Sequence, residues 1–259
     1  HAASPQCWRQ PTSAIATPGG DRARCGLVRV VGHVAQVTTS FYAALMANSE
    51  PKPDLGALYG ATRQRITALV SAEGVDLETM VPATPAWRVR DVVAHLAGVT
   101  ADAMSGYMAG APGEAWTAAQ VERGRDRALS DLLADWADFG AKLEGFLSTP
   151  DGALASAAVI DVHTHEADLR HALGLPLTVP DDFLAWVVGE LREGFYSAVT
   201  KAGLPAVSLT APDTEWFRAR VGRRTADEVR AYDWSLDPTP YLDTFFHFGP
   251  AEKALGEHT

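Results

Sequence analysis

The stretch Asp161-Val162-His163-Thr164-His165-Glu166-Ala167-Asp168-Leu169 decides how the rest of the chain is read. If it is helical, Asp161 and His165 stand one turn apart on the same face, because positions i and i+4 are neighbours at 3.6 residues per turn. A carboxylate and an imidazole so placed can share one divalent cation, or can pair with each other and bind nothing. The first possibility needs a third ligand from elsewhere, and helical bundles build such sites from inward-facing side chains on facing helices. His163, two residues from each candidate, points about 160° away and is expected at the surface. His171 could pair with Asp168, although a histidine near the negative end of a helix dipole is the simpler reading. Asp168 could also support the site from behind its ligands.

Working outward, this helix runs from about Leu154 to Leu173 and is closed by Gly174 and Pro176. Upstream, Leu129, Leu132, Leu133, Trp136, Leu143, Phe146 and Leu147 keep one apolar stripe until Thr149-Pro150-Asp151-Gly152 stops it. Before that, Val89, Val92, Val93, Leu96 and Val99 share a face after Trp87, with His95 beside it. Arg88 occupies the position where Ser or Thr would complete a capping box with Asp91, so this helix starts under-capped unless Thr84-Pro85 begins it one turn earlier. Leu55, Leu58, Tyr59, Ile66, Leu69 and Val70 form the first stripe, ended by Gly74. Four helices with short connections predict an antiparallel bundle. A fifth pattern, Phe183 to Val199, covers an open flank or leads into the next unit.

The period then changes. Val207, Leu209 and Ala211 alternate with polar or small residues as a half-buried strand does, and Thr225-Ala226-Asp227-Glu228 is a capping box for a short helix. Trp234, Tyr241, Phe245, Phe246 and Phe248 form an aromatic tail expected to dock on another part of the chain, and the C-terminal unit as a whole is expected to pack against the bundle. The resulting division is an extension over residues 1–53, a bundle over 54–178, and a linking helix with a small α/β C-terminal domain over 179–259.

Residues 1–53 hold five basic side chains against two acidic ones, opposite in sign to a chain whose formal charge is -10. Their Pro, Ser, Thr, Gly and Gln without period suit disorder, and Met46 is a candidate natural start. The acidic balance disfavours nucleic acid. No apolar run approaches the ~20 residues that span a bilayer. Cys7 and Cys25, the two cysteines, support neither a disulfide framework nor a zinc knuckle, so the cytoplasm is the expected compartment.

His95, Asp161 and His165 together offer two imidazoles and one carboxylate, a set suited to zinc, iron, nickel or manganese. Arg223-Arg224 after Gly222 is usually a solvated pair, but it could anchor a substrate carboxylate.

The sequence Trp87-Arg88-Val89-Arg90-Asp91-Val92-Val93-Ala94-His95-Leu96-Ala97, the Asp161 to Leu169 stretch, Gly222-Arg223-Arg224, Asp233-Trp234 and Phe246-His247-Phe248-Gly249-Pro250 resemble the mycothiol-dependent maleylpyruvate isomerase family. That family lies within the DinB/YfiT-like group of metal-binding four-helix bundles. The resemblance runs from about Asp54 to Pro250. It implies a divalent metal, typically zinc, held by His95, Asp161 and His165, mycothiol as thiol co-substrate, and a small α/β domain after the bundle. Asp161 stands where the family commonly has Glu, so direct ligation requires closer helices or a bridging water. The C-terminal domain is shortened, which bears on substrate recognition.

The implied activity is that of an isomerase or thiol S-transferase, a metal activating a low-molecular-weight thiol for attack on a small electrophile, maleylpyruvate-like or xenobiotic. Two other readings are a non-catalytic binding or regulatory bundle without metal, and a metal-dependent hydrolase using bound water. Expected partners are the thiol and the electrophile, with no nucleic acid and no membrane, in a monomer or homodimer.

Overall fold

The computed structural model describes residues 53–256, which fall in one compact unit. The expectations for the extension, Met46 included, lie outside the described residues.

Helix α1 (Leu55–Val70) starts where Asp54 accepts hydrogen bonds from the backbone N–H of Gly56 and Ala57, satisfying amides that have no intrahelical partner. Its Gly56 lies so close to the next bundle wall that an added Cβ would strike the Glu144 carbonyl oxygen and Ser148 Oγ. Helix α2 (Val89–Ser105) is not under-capped. Asp91 accepts from the Arg88 backbone N–H at 2.9 Å and from its guanidinium. The Val89 and Arg90 amides donate to the carbonyls of Thr79 and Leu77. The preceding turn thus does what a Ser or Thr cap would have done.

Helix α3 (Glu114–Gly124) was not expected. Gln120 lies against Gly98 and Gly124 against Ala94, so α3 runs back along α2. Helix α4 (Leu129–Leu147) then starts beside the start of α2, where Arg90 donates to the Arg127 carbonyl. A 3₁₀ turn, Pro150–Ala155, leads into α5 (Ser156–Ala172). Gly174, at φ 67°, closes α5: its N–H donates to the His171 carbonyl and the Leu175 N–H donates to the Arg170 carbonyl.

The four-helix bundle is present, made of α1, α2, α4 and α5. Thr62 meets His163 and Arg65 meets Glu166, so α1 and α5 run in the same direction. Asp54 meets Ser148 and Arg63 meets Glu144, so α4 opposes α1. The antiparallel pairs are therefore α1 with α4 and α2 with α5, and α3 is the return stroke that lets α2 and α4 run parallel. Trp136, Ile66, Leu96, Leu143 and Val159 fill the centre. At the middle of the bundle the Trp136 indole N–H donates to the Tyr59 hydroxyl, which also bonds Thr100 Oγ1 at 2.8 Å.

Helix α6 (Asp181–Lys201) follows, and Phe183 in its first turn lies against His163 of α5. Beyond it come β1 (Leu209–Thr210), α7 (Asp213–Arg220), α8 (Ala226–Arg230), β2 (Asp233–Trp234), a 3₁₀ turn at Thr239–Tyr241 and the single turn α9 (Leu242–Phe245). The expected strand keeps its alternation of burial, but only Leu209 and Thr210 pair, antiparallel with Trp234 and Asp233. The Thr225–Glu228 capping box forms in both directions. The aromatic tail docks on α6 and α7: Phe245 packs edge-on against Phe195 of α6 at 5.4 Å and tilted against Trp216 of α7.

Candidate metal centre

Residues 162–169 of α5 are all buried, because α1 and α2 cover one side of the helix and α6 and α7 the other. A polar helix can sit there only if each polar side chain is paired. Glu166 takes a two-pronged bond from Arg65. Thr164 Oγ1 donates to the Ile160 carbonyl. His163, expected at the surface, is 3% exposed. Its ring stacks on Phe183 of α6 at 3.6 Å, and its nitrogens bond Thr62 Oγ1 and the Val159 carbonyl. Burial, above all, pushes its pKa down to about 3, so it stays neutral.

Asp161 and His165 face α2 instead. His95 Nε2 lies 3.5 Å from Asp161 Oδ2, and His165 Nε2 lies 3.6 Å from Asp161 Oδ1. One ligand atom from each of the three residues lies within 4.8 Å of the others. Ligand atoms ~2.1 Å from a common ion at tetrahedral or octahedral angles are about 3.0 to 3.4 Å apart, so to share one divalent cation the three donors would have to draw closer, the widest pair by up to about 1.4 Å. The shorter acid reaches both imidazoles, one through each oxygen.

The remaining imidazole nitrogens point away from the centre. His95 Nδ1 is 3.0 Å from Gln120 Oε1, and Gln120 donates its own N–H to Asp102, which Arg123 also holds. His165 Nδ1 is 3.2 Å from Asp168 Oδ2. An acceptor at Nδ1 fixes the tautomer that leaves the Nε2 lone pair free. Trp87 packs its ring 5.0 Å from that of His95 and 5.9 Å from that of His165, one apolar wall against both. It is held there by a turn in which its N–H donates to the Thr84 carbonyl and its carbonyl accepts from Val81. Tyr59 is a further neighbour. Burial pushes its hydroxyl up to about 12, and the charge of Asp161 adds to the effect, so it stays protonated.

Arg223 and Arg224, expected to offer a substrate carboxylate an anchor, hold carboxylates of the chain itself. Arg223 binds Asp168 and Arg224 binds Glu215, each with two nitrogens. Asp168 is accordingly engaged by Arg223, Arg218 and His165, and the pairing considered with His171 is not its arrangement. Burial opposes its ionisation, yet the two guanidinium groups and His165 hold its pKa well below the usual carboxylate range.

Gln120 escaped the sequence reading together with α3. Its signal was a lone amide between Thr117 and Val121, four positions after Trp116, on what proves to be the buried face of that helix.

Residues 59–170 match the family described as Mycothiol maleylpyruvate isomerase N-terminal domain. That range takes in most of α1 and α5, all of α2, α3 and α4, and the three converging residues. The resemblance read from the Trp87 and Asp161 motifs holds over it. No curated protein and no solved structure matches the chain. Among the described residues, no helix is long and apolar enough to cross a membrane.

Proposed function

We propose that the protein is a metal- and mycothiol-dependent isomerase or thiol S-transferase of the cytoplasm, acting on a small electrophile such as a maleylpyruvate-like or xenobiotic compound. The observation that carries this reading is the convergence of His95, Asp161 and His165 from two facing helices. The family match over residues 59–170 supports the choice of thiol. Zinc suits a donor set of two imidazoles and one carboxylate with positions left for other ligands.

A bound divalent ion supplies Lewis acidity that favours a thiolate over its thiol near neutral pH. The chain's own residues supply the setting. His95 presents Nε2 because Gln120 takes its Nδ1, and His165 Nδ1 faces Asp168 at 3.2 Å. Trp87 excludes water from one side of both rings. Tyr59, kept protonated, stands near Asp161 without competing as an anion. The thiolate of the co-substrate adds to an activated double bond, rotation follows about the resulting single bond, and the thiolate leaves, which isomerises the substrate. With a leaving group in place of that double bond, the sulfur stays on the product.

Elemental analysis of protein purified without chelators, paired with turnover in the presence and absence of mycothiol, tests the reading. Wild type is expected to carry about one zinc equivalent, consistent with a single tetrahedral site, and to require the thiol. His95→Ala is expected to lose both metal and turnover. Turnover without thiol would favour a metal-dependent hydrolase. Metal-free wild type would favour a binding or regulatory module in which Asp161 only pairs with the histidines.

A further inference from the structure

Taking the triad as a metal site, we propose that Asp168 is the positioning residue for His165, and that Arg218 and Arg223 lock it in place. The segment after the bundle is then part of the metal centre, although none of its side chains belongs to the ligand set.

Asp168 is 0% exposed. Its Oδ1 accepts from Arg218 at 2.8 Å and from Arg223 Nε at 3.2 Å, and its Oδ2 accepts from the Arg223 terminal nitrogen at 2.6 Å. Both oxygens are therefore held, and the carboxylate cannot rotate without breaking a bond to a buried guanidinium. Each arginine is anchored in turn: Arg218 donates to the Thr164 carbonyl on α5, and Arg223 donates to the Val221 carbonyl.

A clamp between α5 and α7 would explain these bonds by itself. It does not explain the third neighbour. His165 Nδ1 is buried, and no well-aligned hydrogen bond from it forms among the described residues. The group it faces is the Asp168 oxygen that Arg223 holds, 3.2 Å away and one turn along the same helix. A buried ring N–H left unmade is costly, so a small turn of the imidazole onto Oδ2 is favoured, and that turn keeps Nε2 directed at Asp161. Acceptors at this place orient metal-binding histidines and strengthen their donor nitrogen. The two imidazoles are supported differently: His95 leans on a neutral amide from α3, and His165 on a carboxylate whose orientation is set from beyond the bundle.

The test uses the full chain with Asp168→Asn, Arg223→Lys and the control Glu215→Gln. The control breaks the neighbouring ion pair with Arg224 without removing a partner of Asp168. Two quantities are read: the zinc dissociation constant by competition with a chromophoric chelator, and the His165 tautomer in metal-free protein by ¹⁵N NMR.

Asp168→Asn is expected to weaken zinc binding ~10- to 100-fold and to turn a pure Nδ1–H tautomer into a mixture. Arg223→Lys is expected to do the same to a smaller degree, and Glu215→Gln to match wild type in both. If Asp168→Asn does not fold, the comparison of Arg223→Lys with Glu215→Gln decides. A folded Asp168→Asn or Arg223→Lys with wild-type affinity and wild-type tautomer overturns the proposal. If wild type binds no zinc, the functional reading fails by itself, and the tautomer comparison still decides the role of Asp168.

Discussion

His163 and His165 differ by two positions and have opposite roles. His165 meets Asp161 across an open coordination centre, whereas His163 is stacked on Phe183 and bonded through both nitrogens. Replacing His163 with Ala removes a buried ring and leaves Thr62 without that partner. A loss of roughly 2–4 kcal/mol in unfolding free energy is expected, with zinc affinity unchanged. Denaturant titration and metal titration of the same variant check both halves, and a large fall in zinc affinity would make His163 part of the centre. At this scale the triad was legible, because i, i+4 spacing and a motif histidine on a facing helix are properties of the sequence. The burial of His163 was not, since it depends on which helix covers the far side of α5. Nor did chain order reveal that Arg223 would reach back 55 positions to Asp168.

Among the elements, α5 shows how a polar segment becomes central. Its Glu166 is paired with Arg65 from α1 and its Asp168 with Arg218 and Arg223 from beyond α6. The long apolar stripes of α1, α2, α4 and α6 were readable because each repeats over several turns. Helix α3 was missed because Ala115, Ala118 and Ala119 dilute its stripe to Trp116 and Val121. The ion pair of Arg224 with Glu215 sets an acid limit on the C-terminal elements. Burial works against ionisation of Glu215, but bonds from Arg224 and Tyr232 outweigh it and lower its pKa below the ordinary 4.5. An acid whose folded pKa is depressed stabilises above its unfolded value and loses that contribution as pH falls through the folded one. Glu215→Gln is therefore expected to lower the melting temperature most at neutral pH, with the gap closing below about pH 4.5. Melting curves from pH 7 to pH 3 read this directly, and a gap that widens in acid would contradict it.

For the whole molecule, the site joins helices that are distant in sequence, so ion binding and global stability are linked. An ion present at about a hundred times its dissociation constant adds ~2.7 kcal/mol to a fold that binds it only when native. For a protein of this size that is a rise of roughly 5–10 °C in melting temperature, to be seen by calorimetry with zinc against chelator. Equal melting temperatures would sever the link. Helix number and order in the bundle followed from periodicity, but helix direction did not. It depends on α3 returning along α2, and on backbone contacts that hydrophobic pattern does not encode.

One of those contacts, Gly56 on α1 against the Glu144 carbonyl of α4, shapes how such a chain can diverge. Surface positions drift one at a time. Position 56 can gain a side chain only if α4 retreats in the same step, which would strain the bond from Trp136 on α4 to Tyr59 on α1. The α1–α4 separation is therefore tied to the absence of a side chain at position 56.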